Sequence, residues 1–504
     1  MTKREHINSP APSTPAKLLT GISGLDYVLA GGLPANRLYL VQGDPGVGKT
    51  TLGLQFLLEG VKHGESGLYV TLSETAEELK AVAQSHRWSL DGLALHELAS
   101  IDATIDKDVP NTLFHPSEVE LQETMEDILR IVEKIKPRRV VFDSLSELRL
   151  LAQGSLRYRR QILWLKQFFV GKNCTVLMLD DRTSEQQDNH LQSLAHGVVI
   201  LEQLSPLYGA ERRRLRVLKL RGVNFHGGFH DFNITSGGLR VFPRLVAADH
   251  PETFRQEMVA SGITEIDHLL GGGLHRGTST LLIGPAGTGK SIIATQYAVA
   301  AAARGEKSAL YIFDESMVTL FARTESLGFE LKRYVNEGMI TVQQIDPAEL
   351  PPGQFVQEVR DAVETQKARV IVIDSLNGYL NSMPDEPFLN VQLHELLSYL
   401  RQHGIVTILV VSQSGIMGSS MQTPVDISYL ADTVILLRYF EATGEIRKAI
   451  SVLKKRSGQH ETTIRELRMG PKGLRVGEPL KEFHGIMTGV PTYDGAEHPL
   501  LSAK

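Results

Sequence analysis

A single cysteine in 504 residues, Cys174, excludes a disulfide within the chain and any zinc site built on several thiolates. It sits in the apolar run CTVLMLDD and reads as a small buried hydrophobe of a strand. Neither sign of charge is in excess: 53 Lys and Arg stand against 58 Asp and Glu. The chain therefore offers no bulk positive field of the kind that holds proteins to nucleic acid. No uninterrupted apolar run is long enough to span a bilayer. The opening MTKREHINSPAPSTPAK lacks the apolar core of a secretory signal, so residues 1–16 read as a flexible tail and the expected location is cytoplasmic. What remains is an ordinary globular balance, 42% hydrophobic and 22% charged, over a length that needs more than one core.

The chain repeats itself. TGISGLDYVLAGGLPANRLYLVQGDPGVGKTTLGLQF returns as SGITEIDHLLGGGLHRGTSTLLIGPAGTGKSIIATQY, with Lys49 and Lys290 standing 241 residues apart, as do Asp26 and Asp267. A period of this length means duplicated domains, because solenoid repeats run only tens of residues. Each copy continues with apolar strands in one order: GLYVTLSET and ALYIFDES, RRVVFDS and ARVIVIDS, then CTVLMLDD and VTILVVSQS. Continuous Val/Ile/Leu strands alternating with helical segments predict an α/β fold, two mostly parallel sheets each covered by helices on both faces. The turn-rich VAADHPETF marks the boundary, giving domains at 17–247 and 248–492 and a short tail at 493–504.

In both copies a strand runs into G-x-x-x-x-G-K-[ST] and a helix leaves it, the context in which this motif cradles phosphates. Glycines let successive backbone N–H groups curl around the anion, and the helix N-terminus adds a favourable dipole. The lysine reaches the β- and γ-phosphates and the hydroxyl holds Mg²⁺. The residues are Gly43, Gly46, Val47, Gly48, Lys49, Thr50 and Thr51, then Gly284, Gly287, Thr288, Gly289, Lys290, Ser291 and Ile292.

Asp143 and Asp374 end apolar strands, where a carboxylate is costly unless it serves a cation, so both join Thr50, Ser291 and Asp314 as candidate metal-side residues. Glu74 and the pair Asp314 and Glu315 fall at the carboxyl ends of the next strands, the edge where open α/β sheets bind ligands. A carboxylate there can orient or deprotonate a nucleophile facing the γ-phosphate, so these three are the candidate catalytic residues. Ser73 stands where the second copy has Asp314, leaving one acid in the first site and two in the second.

TLSETAEEL, FDES, ERRRLRVLKLRG, VLKKRSGQHETTIREL, DTVILLRYFEATGEIRKAI and IMTGVPTY, together with both loops, resemble the KaiC family of clock ATPases and autokinases with RecA-like domains. The likeness covers about residues 17–492. It implies ATP and Mg²⁺ as ligands and a nucleotide-dependent homohexamer in which each ATP lies between subunits. The matching neighbour-supplied residues are Lys219, Leu220 and Arg221, then Lys454, Lys455 and Arg456. Ser85 and Thr235 match further contacts in the first site, and Lys448 one in the second. The family's first domain hydrolyses ATP and drives assembly, while its second phosphorylates adjacent Ser and Thr; here Ser428 matches the serine and Tyr429 replaces the threonine. Leu327 replaces a tryptophan near the second nucleotide. After GVPTY only DGAEHPLLSAK follows, which argues against a KaiA-like activator and leaves a KaiB-like or signalling partner open.

Two rival readings remain at this stage, a DNA-dependent ATPase of the same superfamily and a nucleotide-binding scaffold with little turnover. DNA phosphates need Lys or Arg, and residues 183–211 and 402–437, which carry the corresponding loops, contain neither. The intact lysines, hydroxyls and strand-end acids argue against the scaffold.

Overall fold

The computed structural model describes residues 16–98, 116–152, 154–182, 189–206, 209–250, 253–381, 388–413, 430–442, 444–486 and 492–493. The chain divides into two compact units, Met1–Leu207 with Glu211–Arg244, and Tyr208–Ala210 with Leu245–Lys504.

The first unit is built on β1 (Leu38–Gly43), β2 (Gly67–Thr71), β3 (Leu93–Glu97), β4 (Arg139–Asp143), β5 (Thr175–Asp181), β6 (Gly197–Leu204), β7 (Arg212–Leu220), β8 (His230–Thr235) and β9 (Gly238–Phe242). Their order across the sheet is β3-β2-β4-β5-β1-β6-β7-β8-β9. Pairing is parallel from β3 to β6 and antiparallel from β6 to β9. In the second unit β10 (Ser279–Gly284), β11 (Lys307–Ile312), β12 (Ile340–Gln344), β13 (Ala368–Asp374), β14 (Val406–Ser412), β15 (Thr433–Ala442), β16 (Glu445–Lys455), β17 (Arg465–Gly470) and β18 (Gly473–Pro479) repeat that order as β12-β11-β13-β14-β10-β15-β16-β17-β18. The expected α/β architecture is the one found, two mostly parallel sheets flanked by helices in the manner of tandem RecA-like domains.

The loop strand lies at the centre of each sheet because its residues are apolar on both faces. Tyr39 and Val41 pack with Leu52, Phe56 and Leu57 of helix α1 (Lys49–Lys62), whereas Leu38 and Leu40 join Ile162 and Leu165 of helix Ser155–Phe169 on the other side. Each such side chain contributes about 1.5–3 kcal/mol by leaving water, which fixes the strand and hence the loop at its end. The repeated aspartates act one step earlier in the chain. Asp26 accepts from the Thr20 backbone N–H at 2.7 Å and its hydroxyl at 2.8 Å, and Asp267 accepts from the Ser261 N–H at 2.7 Å. They staple the turn that leads into each sheet.

Three further helices position the sites: α2 (Ala76–Ser85), α3 (Lys290–Ala303) and α4 (Met317–Ser326). Thr75 caps α2 in a reciprocal pair with Glu78, and Ser316 caps α4, so each cap stands one residue after its candidate catalytic glutamate.

Candidate nucleotide sites

Both loops make the same turn. Gly48 and Gly289 cap α1 and α3 at φ 109° and 107°, a left-handed conformation that glycine adopts without strain. Gly46 and Gly287 both stand at φ 78°, and no atom lies within 4 Å of where a side chain on Gly46 would project. Each loop is thus a cradle of backbone N–H groups at a helix N-terminus, suited to an anion, open at Gly46 and overlain at Gly287 by the Tyr439 hydroxyl, which donates to the Ala286 carbonyl at 3.0 Å.

Across the first cradle, Lys49 is buried, its ammonium donating to the Gly43 carbonyl at 3.0 Å and the Asp44 carbonyl at 2.9 Å and pairing with Asp181 at 2.7 Å. Thr50 donates its hydroxyl to Asp143 at 2.8 Å, and Tyr69 donates to the same carboxylate. Burial raises the Asp143 pKa, opposed by these two hydrogen bonds and by Lys49. Glu74 is held by its backbone, which exchanges hydrogen bonds with the Thr71 hydroxyl, while Oε2 is buried without a partner. Burial first, then the neighbouring charge of Asp143, Glu78 and Asp181, pushes Glu74 up to about 7.

The second cradle keeps the plan with different partners. Lys290 donates to the carbonyls of Gly284 at 2.8 Å and Pro285 at 2.7 Å, and burial lowers its pKa to about 8. Burial raises the Asp374 pKa against a hydrogen bond from Ser291. Asp314 accepts from the Ser375 hydroxyl. Glu315 is clasped by Arg323, whose Nη2 donates at 2.6 Å and Nε at 3.2 Å to the two carboxylate oxygens.

Hydroxyl and carboxylate oxygens at Thr50–Asp143 and Ser291–Asp374 are the hard donors Mg²⁺ prefers, so these residues fit it, with substrate phosphates completing the shell. Among the described residues no group of three or more His, Cys, Asp and Glu side chains could hold a metal by itself.

The remaining expected residues are placed as follows. Val47, Thr288 and Ile292 are buried, Thr288 donating to the Pro285 carbonyl at 2.8 Å. Thr51, Ser85 and Thr235 gather around His86: Thr51 Oγ1 is 3.4 Å from His86 Nε2 and the Thr235 carbonyl 2.8 Å from Nδ1. Ser85 turns its hydroxyl to the Val82 carbonyl at 2.7 Å. Leu220 is buried, Lys219 donates to the Gln192 carbonyl and Arg221 to the Ser193 carbonyl at 2.8 Å. Lys448 lies 6.0 Å from the Tyr439 ring centre, and Lys454 donates to the Ala431 carbonyl at 2.9 Å. Lys455 is buried, bonded to the Leu270 and Gly273 carbonyls, and Arg456 lies 3.6 Å from Asp432. Ser428 and Tyr429 lie outside the described residues.

Sequence reasoning missed Tyr69, His86, Asp181 and Arg323. Asp181 carried a signal: it ends CTVLMLDD as Asp143 ends RRVVFDS. The other three carried none, because their partners are distant in sequence or set by helix register.

A central parallel strand, a glycine cradle at a helix N-terminus, a buried lysine and a hydroxyl beside a strand-end aspartate define a tandem P-loop protein that binds nucleoside triphosphates. A family model described as "ATPase: KaiC" matches twice, over residues 18–246 and 259–481. The chain belongs to the KaiC family of ATPases, which makes ATP its nucleotide. It is 29% identical to the circadian clock oscillator protein KaiC of Synechococcus elongatus over 95% of this chain and 92% of that one. It is 28% identical to the circadian clock protein KaiC3 of Synechocystis sp., over 95% of each chain. No helix among the described residues is long and apolar enough to cross a membrane.

Proposed function

We propose that this two-domain ATPase hydrolyses ATP in its first domain with Glu74 as proton acceptor, and transfers phosphate in its second domain to its own Ser428. The observation that carries the first part is the buried, unpartnered Glu74 oxygen on a carboxyl whose pKa is raised to about 7. A carboxyl so placed takes a proton near neutral pH, where a general base works best. Lys49 and the N-terminus of α1 hold the phosphates; Thr50 and Asp143 would hold Mg²⁺, which would supply charge neutralisation at the phosphate oxygens. The attacking water then gives its proton to Glu74 Oε2 as the γ-phosphoryl leaves ADP.

The same reading has the chain assemble as a nucleotide-dependent homohexamer, with Arg221 and Arg456 offered to neighbouring nucleotides, in the cytoplasm and in a signalling or timing role with a KaiB-like or signalling protein as partner. The names of its relatives support the timing role. Domains at 17–247 and 248–492 divide the two activities. Glu74→Gln tests the core of it: ATP affinity stays and most hydrolysis is lost, whereas loss of binding would make Glu74 structural. Phosphopeptide mapping after incubation with Mg-ATP tests Ser428, and its absence in a hydrolysing preparation removes the kinase part.

A further inference from the structure

The two candidate catalytic glutamates occupy equivalent places and have unlike partners. Glu74 precedes the cap of α2 and Glu315 the cap of α4, and eight residues further along each helix stand Val82 and Arg323. Two helical turns bring position 323 back over the N-terminus, where its guanidinium makes a two-point contact with Glu315, both side chains about one-fifth exposed. Val82 offers Glu74 no such contact, packing instead against the apolar core of its own domain.

We propose that Arg323 is a positioning residue that keeps Glu315 from serving as a proton acceptor, so that the second site spares its ATP from water. This rests on the assignment of Glu74 as the hydrolytic base of the first site. In hydrolysis a water oxygen bonds to the γ-phosphorus, the bond from that phosphorus to the β–γ bridging oxygen breaks, and the water proton passes to a carboxylate and then to solvent. The carboxylate must offer a free oxygen to that proton. Glu74 offers Oε2, while both oxygens of Glu315 are engaged by two charge-assisted hydrogen bonds in the planar fork that suits a carboxylate. Asp314, the other acid of the site, accepts from Ser375 through Oδ2 alone, and its carboxylate remains to take the hydroxyl proton when the phosphoryl group passes to a protein serine. A slow second site keeps nucleotide available for transfer to a protein hydroxyl.

The test uses the full chain carrying Glu74→Gln, so that steady-state ATP turnover reports the second site. Adding Arg323→Val, which installs the residue of the first domain, raises kcat about tenfold with KM for ATP unchanged. Adding Glu315→Gln to that variant abolishes the gain. Arg323→Lys, which keeps the charge and loses the fork, gives about a threefold rise and guards against a folding defect in the valine variant. An unchanged or reduced kcat in Arg323→Lys with ATP binding intact overturns the proposal, since Arg323 would then be inert or would itself stabilise the phosphate. So would a gain that survives Glu315→Gln. If Glu74→Gln alone leaves turnover at the wild-type level, the first-site reading fails instead, and the Arg323 comparison is made in Lys49→Ala.

Discussion

Lys49 Nζ lies 2.7 Å from Asp181 Oδ1, and the second domain has no carboxylate in that place. Register fixes the comparison: Gly43 pairs with Asp181 and Gly284 with Ser412 on the adjacent parallel strands. An incoming phosphate therefore competes with an aspartate for Lys49, and meets that negative charge as well. Asp181→Asn is expected to tighten ATP binding at the first site by about tenfold, or about 1.4 kcal/mol. Titration with a fluorescent ATP analogue in a Lys290→Ala background measures it, and unchanged or weaker binding counts against the competition.

Glu74 gives hydrolysis a pH dependence. Only the carboxylate accepts a proton, so turnover at the first site should rise with pH and level off above about 7. The stability effect has the opposite direction. Between the ordinary carboxyl value of 4.5 and about 7 the unfolded chain ionises while folded Glu74 stays protonated, so stability falls with pH across that window. Glu74→Gln removes both slopes; a rate profile of the same shape in that variant would assign the ionisation elsewhere.

Lys290 sets a second pH limit. With its pKa brought down to about 8 by burial, the ammonium that phosphates require is lost above that pH. ATP affinity of the second site should fall about tenfold between pH 7 and pH 9. Calorimetric titration of Lys49→Ala across that range checks it, and flat affinity would show that Lys290 stays charged.

The parallel strands, both phosphate loops and the strand-end aspartates were legible because each rests on a local signal: continuous apolar runs, a fixed glycine spacing, an acid where burial forbids one. The Arg323–Glu315 contact was not. Val82 and Arg323 look like an ordinary exchange on a helix surface until the cap fixes where the helix starts and so which residue returns over the glutamate. Lys454 and Lys455 were hard to tell apart for another physical reason. The register of β15 and β16 shifts between Val434 and Ile435, so strict alternation does not say which lysine faces inward.

That shift yields the last prediction. The motif Lys454, Lys455 and Arg456 was expected to serve a neighbour's nucleotide, yet Lys455 is buried and its ammonium pins the carbonyls of Leu270 and Gly273 in the glycine-rich turn before β10. Arg456 is half-exposed, its guanidinium 3.6 Å from Asp432, a buried carboxylate that also accepts from the Ser279 N–H and from Arg401 and so keeps partners when Arg456 is removed. Lys455→Met should therefore strand two carbonyls and destabilise the second domain by about 1–3 kcal/mol, read as a lower midpoint in thermal or urea unfolding. Arg456→Ala should leave that midpoint nearly unchanged and, in the proposed ring, lower second-site turnover and phosphate transfer by at least about tenfold. A Lys455→Met protein with an unaltered midpoint and lost transfer would reverse the two roles, placing Lys455 rather than Arg456 on the neighbouring phosphate.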